Sequence, residues 1–127
     1  MIIYAENNSQ IIPQRFQRKR IKGWRKPDNS ISVCRPSKWG NPFTVGKSIY
    51  DNLPYFFNLV FDQSDYKLYK KNEIVVDNKE SVRLFDKYVI PKLDNDDVIE
   101  LKGKHLLCWC KIGDYCHADS LLKAVNK

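Results

Sequence analysis

Two short runs near the end of the chain carry residue types that chemistry uses. Cys108-Trp109-Cys110 is followed, after the five residues 111–115, by Cys116-His117-Ala118-Asp119. On a strand, residues two apart point to one face, so the thiols of Cys108 and Cys110 are expected to look the same way. The intervening turn then returns Cys116 and His117 at the start of the last helix. Three cysteines and one histidine make a full tetrahedral zinc set, most simply a structural one because four ligands leave no open position. The spacing differs from the usual pair of two-residue gaps. A second chemistry uses the same atoms: a helix N-terminus favours thiolate at Cys116, and a thiolate beside His117 could be a nucleophile. His117 or Asp119 could move a proton. The plain alternative is that Cys108 and Cys110 are core thiols, Cys116 a small cap and His117 a satisfied polar residue. Asp119 would then be an acid that suits a first helical turn.

The second constellation is Arg35-Pro36-Ser37-Lys38-Trp39-Gly40-Asn41-Pro42-Phe43. Two prolines and a glycine fix a loop path. Arg35, Lys38 and Asn41 offer donors, and Trp39 and Phe43 offer flat faces. Charged donors beside aromatic rings suit a nucleotide, with charge-assisted bonds to phosphate and stacking on the base. A rigid turn with core aromatics and solvated charges is the competing reading.

The third is electrostatic. The net charge is +7, from 22 basic and 15 acidic residues. Arg15, Arg18, Lys19, Arg20, Lys22, Arg25 and Lys26 fall in one stretch without an acid; setting those seven aside leaves 15 basic residues against 15 acidic ones. The excess is a local patch on an otherwise neutral chain, which either attracts phosphate or forms a solvated arm. Together these runs predict a pocket for a phosphorylated nucleotide or a nucleic-acid end, lined by Arg20, Lys22, Trp24, Arg25, Arg35, Lys38, Trp39 and Asn41. Arg35 and Lys38 would hold phosphate or developing negative charge, Trp39 would stack a base and Asn41 would orient the substrate.

The elements that must position these residues follow from pattern. Residues 1–14 are weakly patterned, a loose strand or arm. Pro13, Pro27 and Gly23 argue against a long helix through the basic stretch. Ile31-Ser32-Val33-Cys34 predicts a strand after the turn residues Pro27-Asp28-Asn29-Ser30, and 35–43 a loop. A helix is expected from Pro54, and Ile74-Val75-Val76 suggests a small strand. From Asn78, Val82, Phe85, Tyr88 and Val89 fall at helical spacing, with Pro91 ending or kinking the helix. Residues 94–101 predict a short helix or turn. The run His105 to Cys110 is apolar and continuous, which suits a strand buried on both faces of a parallel sheet. Ala118 to Val125 is helical with Leu121, Leu122 and Val125 on one face. Alternating strands and helices predict an α/β fold, a small three-layer Rossmann-like sandwich with a mostly parallel sheet. In such sheets ligands bind beyond the carboxyl ends of the strands, where the 35–43 loop and the 111–116 turn would meet.

A chain of 127 residues suits one domain spanning 1–127, long enough to fold without staples. No apolar run approaches the ~20 residues of a membrane span. Met1 to Glu6 lacks the basic lead and apolar stretch of a secretory signal, so an intracellular, cytoplasmic location is expected, in which the four cysteines are thiols, ligands or core.

Three stretches together resemble the domain-of-unknown-function family 4326, found mainly in phages, bacteria and large viruses. The matching residues are Lys22-Gly23-Trp24-Arg25 with Pro27, then Arg35 to Phe43, then Leu101 to Lys104, Cys108 to Cys110 and Cys116 to Asp119. The resemblance covers roughly residues 18–126. It implies that the three motifs form one shared site and that the basic stretch is part of it. Cys34 departs from the family, where glycine is commoner, so it is set outside that site. The family supplies no reaction. A nucleoside-modifying or glycosidic-bond role fits by analogy of fold, with a nucleic-acid-binding module, with or without stabilising zinc, as the alternative.

Overall fold

The structure, a computed structural model, describes residues 12–35, 37–48, 65 and 73–126. Three short strands, β1 (Arg15–Gln17), β2 (Ser30–Ser32) and β3 (His105–Cys108), form one sheet in the order β1-β3-β2. Both pairings are parallel, with Phe16 and Ser32 opposite Leu107, and Arg15 and Ile31 opposite Leu106. The last strand in sequence takes the middle because its residues are apolar enough to be covered on both faces. All four are buried, whereas β1 and β2 are half-buried. Pairing runs past the strand ends. The Arg18 N–H donates to the Cys108 carbonyl at 2.7 Å and the Val33 N–H to the Leu107 carbonyl at 3.0 Å.

The expected parallel neighbours, 31–34 and 105–110, are thus found, each shortened at its end. The basic stretch holds a strand that pattern did not predict: β1 is three residues long, too short for a period to show. The chain is a mixed α/β fold with an all-parallel three-stranded sheet and three helices among the described residues.

Helix α1 (Asn78–Leu84) starts at Asp77, whose carboxylate accepts the Glu80 N–H at 2.8 Å. The chain then widens into a π turn over Phe85–Val89 and tightens into a 3-10 turn over Ile90–Lys92, which contains Pro91. The Ile90 N–H reaches back to the Phe85 carbonyl. This shift of register explains the uneven burial of the predicted face. Phe85 and Tyr88 are buried while Val82 and Val89 are only half-buried. Helix α2 (Asn95–Leu101) is closed at its start by a reciprocal cap between Asp94 and Asp97. Helix α3 (His117–Val125) begins one residue earlier than expected, with Cys116 as its N-cap, and buries His117, Ala118, Leu121 and Val125. Val45 and Val75 make an isolated parallel bridge, the trace of the small strand expected at 74–76. The helix expected from Pro54 and most of the arm at 1–14 lie outside the described residues.

Leu84, Phe85, Leu101, Leu106, Leu121 and Val125 form the centre of the core, with Val33, Trp39 and Phe43 packed in from the loop side. Each large side chain buried there contributes about 1.5–3 kcal/mol. No helix among the described residues is long and apolar enough to cross a membrane.

Asp65 is the one buried carboxylate among the described residues. It accepts from Arg83 at 2.6 Å, from Lys87 at 3.0 Å and from the Tyr88 hydroxyl. Burial pushes its carboxyl up, but the bonds from Arg83, Tyr88 and Lys87 outweigh that and hold it at about 2. A carboxyl held lower in the folded than in the unfolded chain adds stability above its ordinary value, and that stability is lost as pH falls through the folded value. Urea midpoints should therefore be flat above about pH 5 and drop between about pH 4 and the Asp65 value. Asp65→Asn should lower the midpoint at neutral pH and flatten the drop; an equally steep drop in that protein would assign it to other carboxylates.

Candidate functional site

A cavity of about 370 Å³ opens at the carboxyl edge of the sheet. Its wall comes from the residues just beyond β2 (Cys34 and Arg35), the end of β3 and its following turn (Cys108, Trp109, Cys110, Tyr115) and the start of α3 (Cys116, His117). Asn41, Thr44 and Val45 from the loop and Asn78, Ser81 and Val82 from α1 complete it. Parallel strands deliver their ends to the same side, which is why two motifs some 70 residues apart in the sequence share one wall.

The three sulfurs of the ending converge. Cys108 and Cys110 are 3.5 Å apart at Sγ, Cys116 and Cys108 are 3.2 Å apart, and all three lie within 4.8 Å of one another. The strand stops at Cys108, yet the bend through Trp109 keeps the two thiols together. Such a cluster could hold a metal ion. His117, expected as the fourth ligand, is not part of the group. Its Nε2 lies 2.7 Å from the Val33 carbonyl, and since a carbonyl only accepts, Nε2 carries the proton. Its Nδ1 sits 3.9 Å from Cys116 Sγ. Burial pushes the His117 imidazole below its ordinary value, so the ring is neutral near pH 7. Among the thiols, the bond donated by Cys108, then that from Cys116, pushes Cys110 down to about 3, with Arg15 assisting and burial opposing. The same contacts, with burial, push Cys116 up.

Arg15 holds this ending in place. Its side chain is only 6% exposed. It donates to the carbonyls of Cys110 and Lys111 at 3.3 Å, to that of Asp114 at 3.1 Å, and to the Asp119 carboxylate at 3.1 Å. Asp119 is therefore the exposed counter-ion of Arg15 and does not line the cavity, contrary to its expected place beside His117.

The 35–43 loop divides in a way the sequence does not show. Arg35 reaches the cavity and donates to Thr44 Oγ1 at 3.0 Å. Gly40 packs directly on it: a Cβ at Gly40 would stand 2.9 Å from the Arg35 Cα and Cγ. Asn41 lines the cavity but is occupied, its Nδ2 donating to Ser81 Oγ at 2.8 Å and its Oδ1 accepting the Phe43 N–H at 2.9 Å. Trp39 packs into the core outside this cavity, with the Lys38 ammonium 4.7 Å above its ring. Lys38 lies away from the cavity, in ion pairs with Glu100 at 3.0 Å and Asp97 at 3.6 Å. Its ammonium is raised by the bond to Glu100.

Of the basic stretch, Lys22, Trp24 and Arg25 do not line the cavity. Arg20 and Arg18 instead stand over the Trp109 ring, at 4.4 and 4.7 Å from its centre. Trp109, Arg15 and Arg18 are the site residues that sequence reasoning missed. The alternation rule put Trp109 on the face opposite the thiols, and it fails because the strand ends one residue earlier. Cys34, set aside from sequence, does line the cavity, its thiol donating to the Leu107 carbonyl at 3.5 Å.

Arg15→Ala should cost about 2–4 kcal/mol in urea unfolding, because three carbonyls lose a charged donor. Asp119→Asn should cost under about 1 kcal/mol, because the Asp119 carboxylate is itself solvent-exposed. Equal costs would mean that the ion pair, not the carbonyl clamp, holds the turn. Gly40→Ala should destabilise by about 1–3 kcal/mol through the clash with the Arg35 backbone.

No curated protein and no solved structure shows significant similarity to this chain. One family profile matches, over residues 16–127, and so takes in every element that builds the cavity. On that match the chain belongs to the family described as a domain of unknown function, DUF4326.

Proposed function

We propose that this chain is a small enzyme acting on a nucleotide, nucleoside or nucleobase bound in the cavity at the carboxyl edge of the sheet. The observation that carries the reading is the joint placement of an arginine, a tryptophan flanked by two guanidiniums, a cysteine cluster and a neutral histidine on one cavity wall. A cavity of about 370 Å³ is of the size that takes a nucleoside or nucleotide. In this reading Arg35 holds phosphate or developing negative charge. Trp109 with Arg18 and Arg20 replaces Trp39 and Lys38 as the platform for a base. His117 offers Nδ1 to the substrate, its Nε2 being spent on Val33. With its thiol pushed up, Cys116 serves as nucleophile where no metal is bound only by passing its proton to His117 Nδ1, 3.9 Å away, and Asp119 acts only through Arg15. The three-layer, Rossmann-like form of the fold belongs to the same proposal. An intracellular setting, with phosphorylated nucleotides or nucleic acid as partners and no membrane, completes it.

One observation favours a second reading, a nucleic-acid-binding module without chemistry. The guanidiniums over Trp109 come from the exposed basic stretch, which could continue a phosphate track beyond the cavity.

Incubation with pooled nucleotides, nucleosides, nucleobases and short oligonucleotides, read by mass spectrometry, separates the two. Turnover should appear in the unmutated protein and fall about 10²-fold or more in folded Arg35→Ala and His117→Ala proteins. Oligonucleotide binding without turnover, weakening steeply as salt rises, would instead establish the module. Neither binding nor turnover at low salt would remove both.

A further inference from the structure

The cysteine cluster has one property that a structural metal site lacks. Cys108 closes β3, Cys110 sits in the turn and Cys116 caps α3, and all three line the cavity. Four-coordinate zinc with Zn–S distances of about 2.3 Å places its sulfurs roughly 3.8 Å apart. The observed separations of 3.2 and 3.5 Å, with every pair inside 4.8 Å, need only a small outward relaxation to meet that. Among the described residues no histidine or carboxylate joins the three thiols. His117 has a free Nδ1 3.9 Å from Cys116 Sγ, but it falls outside the group whose ligand atoms all lie within 4.8 Å of one another, so the separations and not its Nε2 bond to Val33 leave it out.

From this geometry we infer that Cys108, Cys110 and Cys116 form a site for a thiophilic divalent cation, zinc by preference, whose fourth position opens into the cavity. Three protein ligands with one exchangeable position is the arrangement of a catalytic site, whereas four protein ligands close a structural one. Thiolate ligands select zinc over magnesium, calcium or manganese. One feature of the surroundings supports an ion here: Arg15 pins the carbonyls of Cys110, Lys111 and Asp114, so the ligand-bearing turn is held before any ion arrives. An ion at this place would sit beside Arg35 and Trp109, facing whatever the cavity holds. The inference does not depend on the nucleotide reading, because any external donor can take the fourth position.

Cobalt(II) serves as the probe. Titrated without air into the reduced 127-residue chain, it should bind one ion per chain and show sulfur-to-cobalt charge transfer with the visible bands of a four-coordinate ion. Added imidazole or azide should move the visible bands while the sulfur absorption stays, the sign of an exchangeable position. Cys110→Ser should lower the sulfur absorption by about a third, as one of three thiolates is lost. Cys34→Ala and His117→Ala should leave the site in place. Binding well below one ion per chain would overturn the inference. Visible bands unmoved by external donors, or a site lost in His117→Ala, would also overturn it, in favour of a closed structural centre. If a cysteine variant fails to fold, the titration and donor response of the unmutated protein decide alone. A protein that binds cobalt as described but turns over no nucleotide keeps this inference and loses the proposed reaction; one that turns over nucleotide but binds no cobalt does the reverse.

Discussion

The strand ends that carry the cysteine side of the cavity wall take their place from β3. That strand is hydrogen-bonded along both edges and covered on both faces, so it has no freedom to slide or tilt without breaking pairing on two sides at once. Because both neighbours run parallel to it, three chain segments end on the same side of the sheet. A parallel sheet leaves the backbone past its strand ends to irregular turns. Such turns need their own means of being held, since no ladder continues into them.

The holding differs on the two sides of the cavity. On the cysteine side it is ionic and buried: one guanidinium distributes its donors over the carbonyls of Cys110, Lys111 and Asp114 in the turn and one carboxylate. Arginine suits this because its planar fork carries five donors in fixed directions, which a lysine could not supply. On the loop side the holding is neutral: Asn41 joins the Ser81 hydroxyl on α1 to the Phe43 N–H in its own loop. Trp39 and Phe43 add apolar weight beneath it. The first arrangement leaves the sulfurs beside positive charge. The second consumes the polar groups that sequence alone would have assigned to a ligand.

The legibility of the chain follows the same division. Strands β2 and β3, helix α2 and helix α3 were readable because burial writes a period, or a continuous apolar run, into the sequence. The proximity of the two distinctive loops followed once the strands were taken as parallel. Strand β1 was not readable, since three residues inside a charged stretch carry no period. Arg15 looked like one of seven surface charges, and only its register beside Leu106 turns it inward under the cysteine turn. Trp39 misled because a tryptophan beside a lysine reads alike whether it stacks a base or fills a core; Gly40, which seats the loop against Arg35, was the available sign that the loop folds in on itself. His117 lines the cavity, while its bond to Val33 could not be foreseen from residues 84 positions away.

The distance along the chain between partners has a further consequence. The contact of the Gln14 N–H with His105 spans 91 residues, and that of Arg15 with Asp119 spans 104. Closing loops of that length must precede any reward from the contacts they bring together, so such pairings form late and in concert with the rest of the fold. Until β1 has docked, the cysteine turn has no clamp and its thiols are separate, solvent-reached groups, open to oxidation one at a time. The chemistry of this ending is thus governed by chain closure. A short peptide carrying both cysteine motifs would share their spacing with the whole protein and still lack the clamp that gathers them.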